Sequence, residues 1–316
     1  MRTLDPAPLF TAVAPGPGGG RAFWAQTSDD KRIRLGLWPL EGARGTVLLF
    51  PGRTEYIEKY GFCATELAQR GLATMAIDWR GQGLADRRRP DARIGHVDAF
   101  GDYQKDVAAM LRAARELNLP RPFFLLGHSM GGCIGLRAAM EGLPVQAAAF
   151  TGPMWGIYVA PQRRAVAWSL AQMMPRVGQG HRLPPGTTIE AYPAAAPFED
   201  NLLTTDPQMY DMMRDQLVAH PELSLGGPSF VWLREALAET KHLAGRSAPN
   251  LPCVTWMGSN ERIVAKQRVI ERMAGWKGGR LEIVEGGEHE VLLELPELRN
   301  PIFDGLERLF LGGGNN

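Results

Sequence analysis

The stretch that most restricts how this chain can fold is residues 122–136, PFFLLGHSMGGCIGL. A short apolar run there breaks into Gly127-His128-Ser129-Met130-Gly131, the point where a strand would end and a helix begin. The chemistry of serine explains the spacing. Its hydroxyl is a weak nucleophile until it is lifted clear of the backbone and set beside a base. A sharp turn lifts it, and glycines two residues before and after keep side chains from colliding at the bend. The N–H of Met130 would then stand at a helix start, aimed at the oxygen of a tetrahedral intermediate. The same five residues also fit a glycine-rich turn with an incidental serine, so the rest of the chain has to decide.

Short β-type runs alternate with helical patterns around that turn. Thr46–Phe50, Leu72–Trp79, Phe123–Gly127 and Val145–Thr151 read as strands, with helices at Tyr56–Arg70, Tyr103–Asn118 and Met130–Glu141. Gly71 and Gly142 supply helix stops. The alternation argues for an α/β protein, a parallel sheet covered by helices on both faces. From Pro153 to Ser247 the rhythm fails. Arg163–Met174, Pro207–Val218 and Phe230–Ala244 read as helices around a proline-rich stretch, Leu183–Pro197. Alternation returns with a strand at Leu251–Met257, a helix at Val264–Ala274, a strand at Arg280–Val284 and a final helix up to Phe310. The expected organisation is a core formed by 1–152 and 248–316, interrupted by a helical insertion at 153–247. Inserted after the C-terminal end of a strand, it would overhang the crevice where open α/β sheets bind ligands.

At 316 residues, 45% hydrophobic and 22% charged, the chain is of ordinary globular composition and long enough for a large core. Its net charge of +1 gives no nucleic-acid footprint and no overall electrostatic pull toward a membrane. The one basic cluster, Arg87-Arg88-Arg89, reads as a solvated loop, with an anion or lipid-headgroup contact as the alternative. Cys63, Cys133 and Cys253 lie far apart in apolar settings without metal-type spacing, so buried free thiols are expected. Residues 1–20 have no apolar core of signal-peptide length, and no run of ~18 apolar residues occurs. A cytoplasmic protein without a membrane-spanning segment is the expectation.

Ser129 needs a base, and the base needs a carboxylate to hold its tautomer. Of the six histidines, His128 adjoins the serine but would point away from it at a sharp turn. His181, His220 and His242 fall in the irregular insertion, and His96 sits just ahead of a helix. His289 lies in Glu285-Gly-Gly-Glu-His-Glu290, after the last predicted strand and before the last helix. That is where a general base belongs in a Ser…acid…His chain order. The acid should follow the preceding strand, where Gly258-Ser-Asn-Glu-Arg-Ile-Val264 supplies Glu261. A helix-terminal acid stabilised by the dipole is the other role open to Glu261. A second oxyanion donor is expected in Pro51-Gly52-Arg53-Thr54-Glu55, with Gly52 allowing close approach and the N–H of Arg53 donating.

With these residues assembled, the chain resembles the monoacylglycerol lipase and lysophospholipase branch of the α/β-hydrolases, which are serine aminopeptidase-like, and above all the bacterial lysophospholipases. The resemblance runs over about Thr46–Thr151 and Leu251–His289. It is carried by Pro51-Gly-Arg-Thr-Glu-Tyr-Ile-Glu-Lys-Tyr60, Asp78-Trp-Arg-Gly-Gln-Gly83, Gly95-His-Val-Asp98, Gly127-His-Ser-Met-Gly-Gly132, Gly258–Val264 and Gly287-Glu-His289. It implies a mostly parallel sheet of about eight strands with a helical cap after the sixth. It also implies Ser129 as nucleophile, His289 as base, Glu261 as acid, and the N–H groups of Arg53 and Met130 as the oxyanion hole. Two positions depart from the common pattern. Pro51 stands where many relatives have His, and Glu261 where Asp is usual; the oxyanion donor is backbone, and a Glu can orient an imidazole.

The expected activity is hydrolysis of the ester of a single-acyl lipid, lysophospholipid or monoacylglycerol, through an acyl-serine and without metal or organic cofactor. Met154, Trp155, Trp168, Met212 and Trp232, with Met173, Met174 and Met213, are suited to line an apolar slot or simply to pack the insertion. An apolar lip there is a candidate for peripheral contact with the inner face of a membrane. Two alternatives stay open. A small-ester or amide hydrolase on the same fold would keep the catalytic group. Its aminopeptidase-like form would need an anionic slot, for which Glu190, Glu199 and Asp200 are candidates. A non-catalytic ligand-binding homologue would lack a triad member.

Overall fold

Strands covered on both faces have no polar side, so near-continuous apolar runs become the middle of a sheet. The structure, a computed structural model, describes residues 4–87 and 91–312. Strands β1 (Asp5–Ala7), β2 (Arg21–Gln26) and β3 (Arg32–Trp38) form an antiparallel wing. Strands β4 (Thr46–Phe50), β5 (Ala73–Asp78), β6 (Phe123–His128), β7 (Ala148–Thr151), β8 (Cys253–Gly258) and β9 (Gly279–Val284) pair in parallel. The order across the sheet is β1-β2-β3-β5-β4-β6-β7-β8-β9, with β3 antiparallel to β5. Helices α1 (Gly61–Gln69), α2 (Tyr103–Glu116) and α3 (Ser129–Met140) connect β4 through β7. Between β7 and β8 come α4 (Pro161–Arg176), α5 (Tyr192–Ala195), α6 (Pro207–Ala219) and α7 (Phe230–Ala244), and no strand among the described residues. Then α8 (Lys266–Ala274) precedes β9, and α9 (Pro296–Leu311) follows it.

Every residue of β4 is buried, and its side chains divide by period two between the sheet faces. Val47 and Leu49 join Phe124, Leu126 and Trp256 in one apolar layer; Leu48 and Phe50 join Met75, Leu125 and Phe150 in the other. Chain order reverses at β4, which has β5 on one side and β6 on the other. Open sheets leave a crevice at such a point, outside the carboxyl ends of the strands. Loops leaving β4, β6, β7, β8 and β9 all emerge along that edge.

Several elements differ from the sequence expectation. Among the described residues the sheet has nine strands; the one beyond eight is the three-residue β1, and without it the helical insertion follows the sixth strand. The predicted helix over 56–70 is a 3-10 turn at Ile57–Tyr60 followed by α1. The strand predicted from Val145 begins at Ala148. Within the proline-rich stretch only the single turn α5 is helical. The wing was invisible because β2 and β3 carry arginines and β1 is only three residues long. Arg34 in β3 is fully buried, and forms ion pairs with Asp78 and with Glu58, each at 2.7 Å.

Candidate active site

Ser129 is the first residue of α3 and directly follows β6. Its φ of 49° lies in the left-handed region, which a non-glycine residue occupies only when its surroundings impose it. The packing shows why glycines flank it. A Cβ on Gly131 would lie 1.9 Å from the carbonyl oxygen of Phe50, and one on Gly127 would lie 2.9 Å from that of Gly131. The turn is therefore wedged between β4 and α3. Met130, in the first turn of α3, has an N–H that no carbonyl of its own helix can accept.

His289 and Glu261 come from the loops after β9 and β8. His289 Nδ1 and Glu261 Oε2 are 2.6 Å apart, and both side chains are buried. The other carboxylate oxygen accepts from the N–H groups of Ile263 at 2.6 Å and Val264 at 3.0 Å. Those bonds fix the carboxylate before any imidazole reaches it. Burial alone would raise the Glu261 carboxyl, but the charge and hydrogen bond of His289 and the two N–H groups outweigh it and hold it below its ordinary range. Burial would likewise lower His289; Glu261, then Glu290 and Glu55, outweigh that and raise the imidazole. Gly152, after β7, has φ 47°, and a Cβ there would come 3.0 Å from His289 Nδ1. A side chain at 152 would push the ring off its carboxylate.

The turn after β4 is clamped from several sides. Glu55 accepts from the N–H of Gly52, Gln82 Nε2 donates to the Gly52 carbonyl at 2.7 Å, and Trp79 Nε1 donates to that of Pro51 at 2.9 Å. Glu55, Trp79 and Gln82 are thus positioning residues to which the sequence reading gave no role. Their signal lies in Pro51–Tyr60 and Asp78–Gly83, two of the motifs that carry the family resemblance.

Arg53, Ser129 and His289 line one cavity of about 320 Å³, walled mainly by apolar side chains such as Met213, Leu217 and Leu233. Residues 41–296 match the family described as serine aminopeptidase, S33. The chain belongs to that hydrolase family. It is 30% identical over 299 residues to lysophospholipase L2 of Escherichia coli K12, covering 88% of this chain and 86% of that relative. To a monoacylglycerol lipase of Mycolicibacterium smegmatis it is 26% identical over 274 residues, or 83% of this chain and 88% of the relative. A soluble variant of monoglyceride lipase from Saccharomyces cerevisiae, solved with a substrate analog, shares the fold with a TM-score of 0.70. That likeness, at 21% identity, covers 92% of this chain and 95% of the other. The fold is that of the α/β-hydrolases.

The hydrolase's insertion corrects several sequence expectations. Met154, Met213 and Trp232 line the cavity, whereas Trp155, Trp168 and Met212 do not. Trp155 instead packs against Phe150 and Trp276 and donates to the Gly132 carbonyl at 3.1 Å, because its ring faces the sheet. Trp168 and Met212 are half-buried within the insertion, and Met173 is exposed. None of Glu190, Glu199 and Asp200 lines the cavity; Asp200 pairs with Arg262 at 2.8 Å. Arg87 is not solvated: it donates to the carbonyls of Gly83, Glu222, Leu223 and Ser224, tying the loop after β5 to the insertion. Arg88 and Arg89 lie outside the described residues. All three cysteines are buried and free.

His128 has a different setting. Its Nδ1 lies 3.0 Å from Thr151 Oγ1, and its Nε2 is 3.3 Å from Glu290 and 3.5 Å from Glu55. His128, Glu55 and Glu290 have the spacing of a metal site. Lys59 Nζ, however, sits 2.6 Å from each carboxylate and already supplies the positive charge.

Proposed function

We propose that this chain is a serine esterase that cleaves the acyl ester of single-acyl lipids, lysophospholipids first and monoacylglycerols second. The observation that carries the reading is a serine held at a left-handed φ, facing the same apolar cavity as an imidazole fixed by a buried carboxylate. The kinship with lysophospholipases and monoacylglycerol lipases supports the choice of substrate.

In this mechanism Ser129 Oγ attacks the acyl carbonyl while His289 takes its proton, and Glu261 stabilises the imidazolium. The N–H groups of Met130 and Arg53 hold the oxyanion of the tetrahedral intermediate. Collapse expels the alcohol, which takes the proton from His289, and leaves an acyl-serine. Water then gives its proton to His289, attacks the acyl carbon, and releases the fatty acid and the serine hydroxyl. No step calls for a metal or organic cofactor. Residues 153–247 act as the cap that shapes the acyl slot.

The test is fatty-acid release by wild type and Ser129→Ala from a lysophospholipid, a monoacylglycerol, a short p-nitrophenyl ester and an aminoacyl amide. Turnover that needs Ser129 and favours the two lipids is expected. Turnover of only the short ester or the amide would retire the lipid assignment.

No helix among the described residues is long and apolar enough to cross a membrane. Our reading places the enzyme in the cytoplasm, meeting the inner membrane face through α4. Val166 and Met173 on that helix, and Val177 just after it, are exposed. Between Glu141 and Glu190 the chain has four arginines and no carboxylate side chain, so this stretch is locally basic although the whole is neutral. Co-sedimentation with anionic but not neutral vesicles is expected, and failure to bind either would remove the membrane contact.

A further inference from the structure

The guanidinium of Arg53 has no part in the chemistry above. It packs against the ring of Trp232 on α7, 5.6 Å from the centroid, and its Nη1 donates to the Gly226 carbonyl at 2.8 Å. Among the described residues no carboxylate pairs with it, and its Nε and Nη2 donate to nothing. The contrast with other buried cations is sharp. Arg34 holds Asp78 and Glu58, Arg80 holds Asp29 and Asp106, and Lys59, on the same cavity wall, is claimed by Glu55 and Glu290. Burial pulls the Arg53 guanidinium down to about 10, slightly opposed by Tyr103, and it remains charged at neutral pH. The side chain is partly accessible and lines the cavity that Ser129 opens on. A partly desolvated charge without a counter-charge is unfavourable, and an anionic ligand would relieve it.

We propose that Arg53 is an anion subsite, and that it receives the phosphodiester of a lysophospholipid on the leaving-alcohol side of the scissile ester. The proposal rests on the lipid-esterase reading and deepens it. Arginine presents a planar fork of donors that matches two phosphate oxygens at once, and here Nε and Nη2 are the free prongs. The reach is also right. The Arg53 backbone N–H is the proposed oxyanion donor, so its guanidinium stands within one arginine side chain's length of that donor. The glycerol carbons of a lysophospholipid hold its phosphate at a comparable distance from its ester. A monoacylglycerol offers only a hydroxyl at that place and leaves the charge unneutralised, which ranks the two substrates.

The experiment measures kcat/KM for lysophosphatidylglycerol, lysophosphatidylcholine and 1-monoacylglycerol of one chain length, in wild type, Arg53→Met and Arg53→Lys. The readout is the ratio of phospholipid to monoacylglycerol, in which general damage to the site cancels. Arg53→Met is expected to lower that ratio about 10- to 100-fold, chiefly through KM, as for a lost charge-assisted hydrogen-bond pair. Arg53→Lys, which keeps the charge without the fork, is expected to fall between, and it carries the test if Arg53→Met does not fold. A ratio that stays within about twofold in the variants overturns the subsite, whatever happens to the absolute rates. Wild type that hydrolyses neither lipid class overturns the lipid assignment on which the subsite rests, a separate and recognisable outcome.

Discussion

Two imidazoles lie side by side under this cavity, His289 and His128, with ring centroids 4.8 Å apart. Each faces carboxylates, and we propose that only His289 acts as a base. His289 has a single close acid, Glu261, which is also held by two backbone N–H groups, and its ring borders the space in front of Ser129. His128 directly precedes Ser129, bonded to Thr151 and flanked by Glu55 and Glu290, whose charge is already shared with Lys59. A histidine beside a carboxylate is therefore not enough to make a base. What distinguishes the pair is an open side toward substrate and an acid whose other partners are backbone groups rather than a competing cation. The second cluster serves a different end: Glu55 reaches from it to the N–H of Gly52 and fixes the turn that carries Arg53.

The largest effects should separate the two histidines. His289→Ala is expected to lower kcat by about 10⁴-fold or more, whereas His128→Gln should cost about tenfold or less. Steady-state kinetics on one lipid substrate compare them, and equal losses would erase the distinction. Next comes Lys59→Met, which strands Glu55 and Glu290 as buried carboxylates without their cation. It should destabilise the fold by about 3–5 kcal/mol in urea unfolding, while the same change at exposed Lys241 should have an effect below about 0.5 kcal/mol. The smallest effect is on pH. The base must be neutral to act, and His289 is raised above its ordinary value of about 6.5, so the acid limb of kcat/KM should lie above that pH. Glu290→Gln removes one of the charges that raise it, and the limb should move to lower pH. A limb that stays put would mean that the second cluster does not feel the first.

The parallel core could be read from sequence because most of its strands are apolar runs bounded by glycines, and because Ser129, Glu261 and His289 each follow a strand, in the chain order Ser, acid, His. The antiparallel wing could not, since Arg34 breaks the apolar pattern of β3 and its buried partners, Glu58 and Asp78, are distant in sequence. The insertion was legible as helical but not in its facing. Trp155 and Trp232 carry the same side chain, yet one packs on the sheet and the other lines the cavity, and no local periodicity separates them. Likewise Glu55 and Gln82 act through backbone groups of a turn, so their role depends on a contact that spacing alone does not specify.

The central claim is that Ser129 is activated by the His289–Glu261 pair inside a largely apolar cavity. Intact-mass and peptide analysis of the protein after a fluorophosphonate probe tests it most directly, with and without a lysophospholipid competitor. The account predicts one adduct, on Ser129, slowed by the lysophospholipid far more than by a short ester. No adduct, an adduct on another serine, or labelling indifferent to the lipid would contradict it.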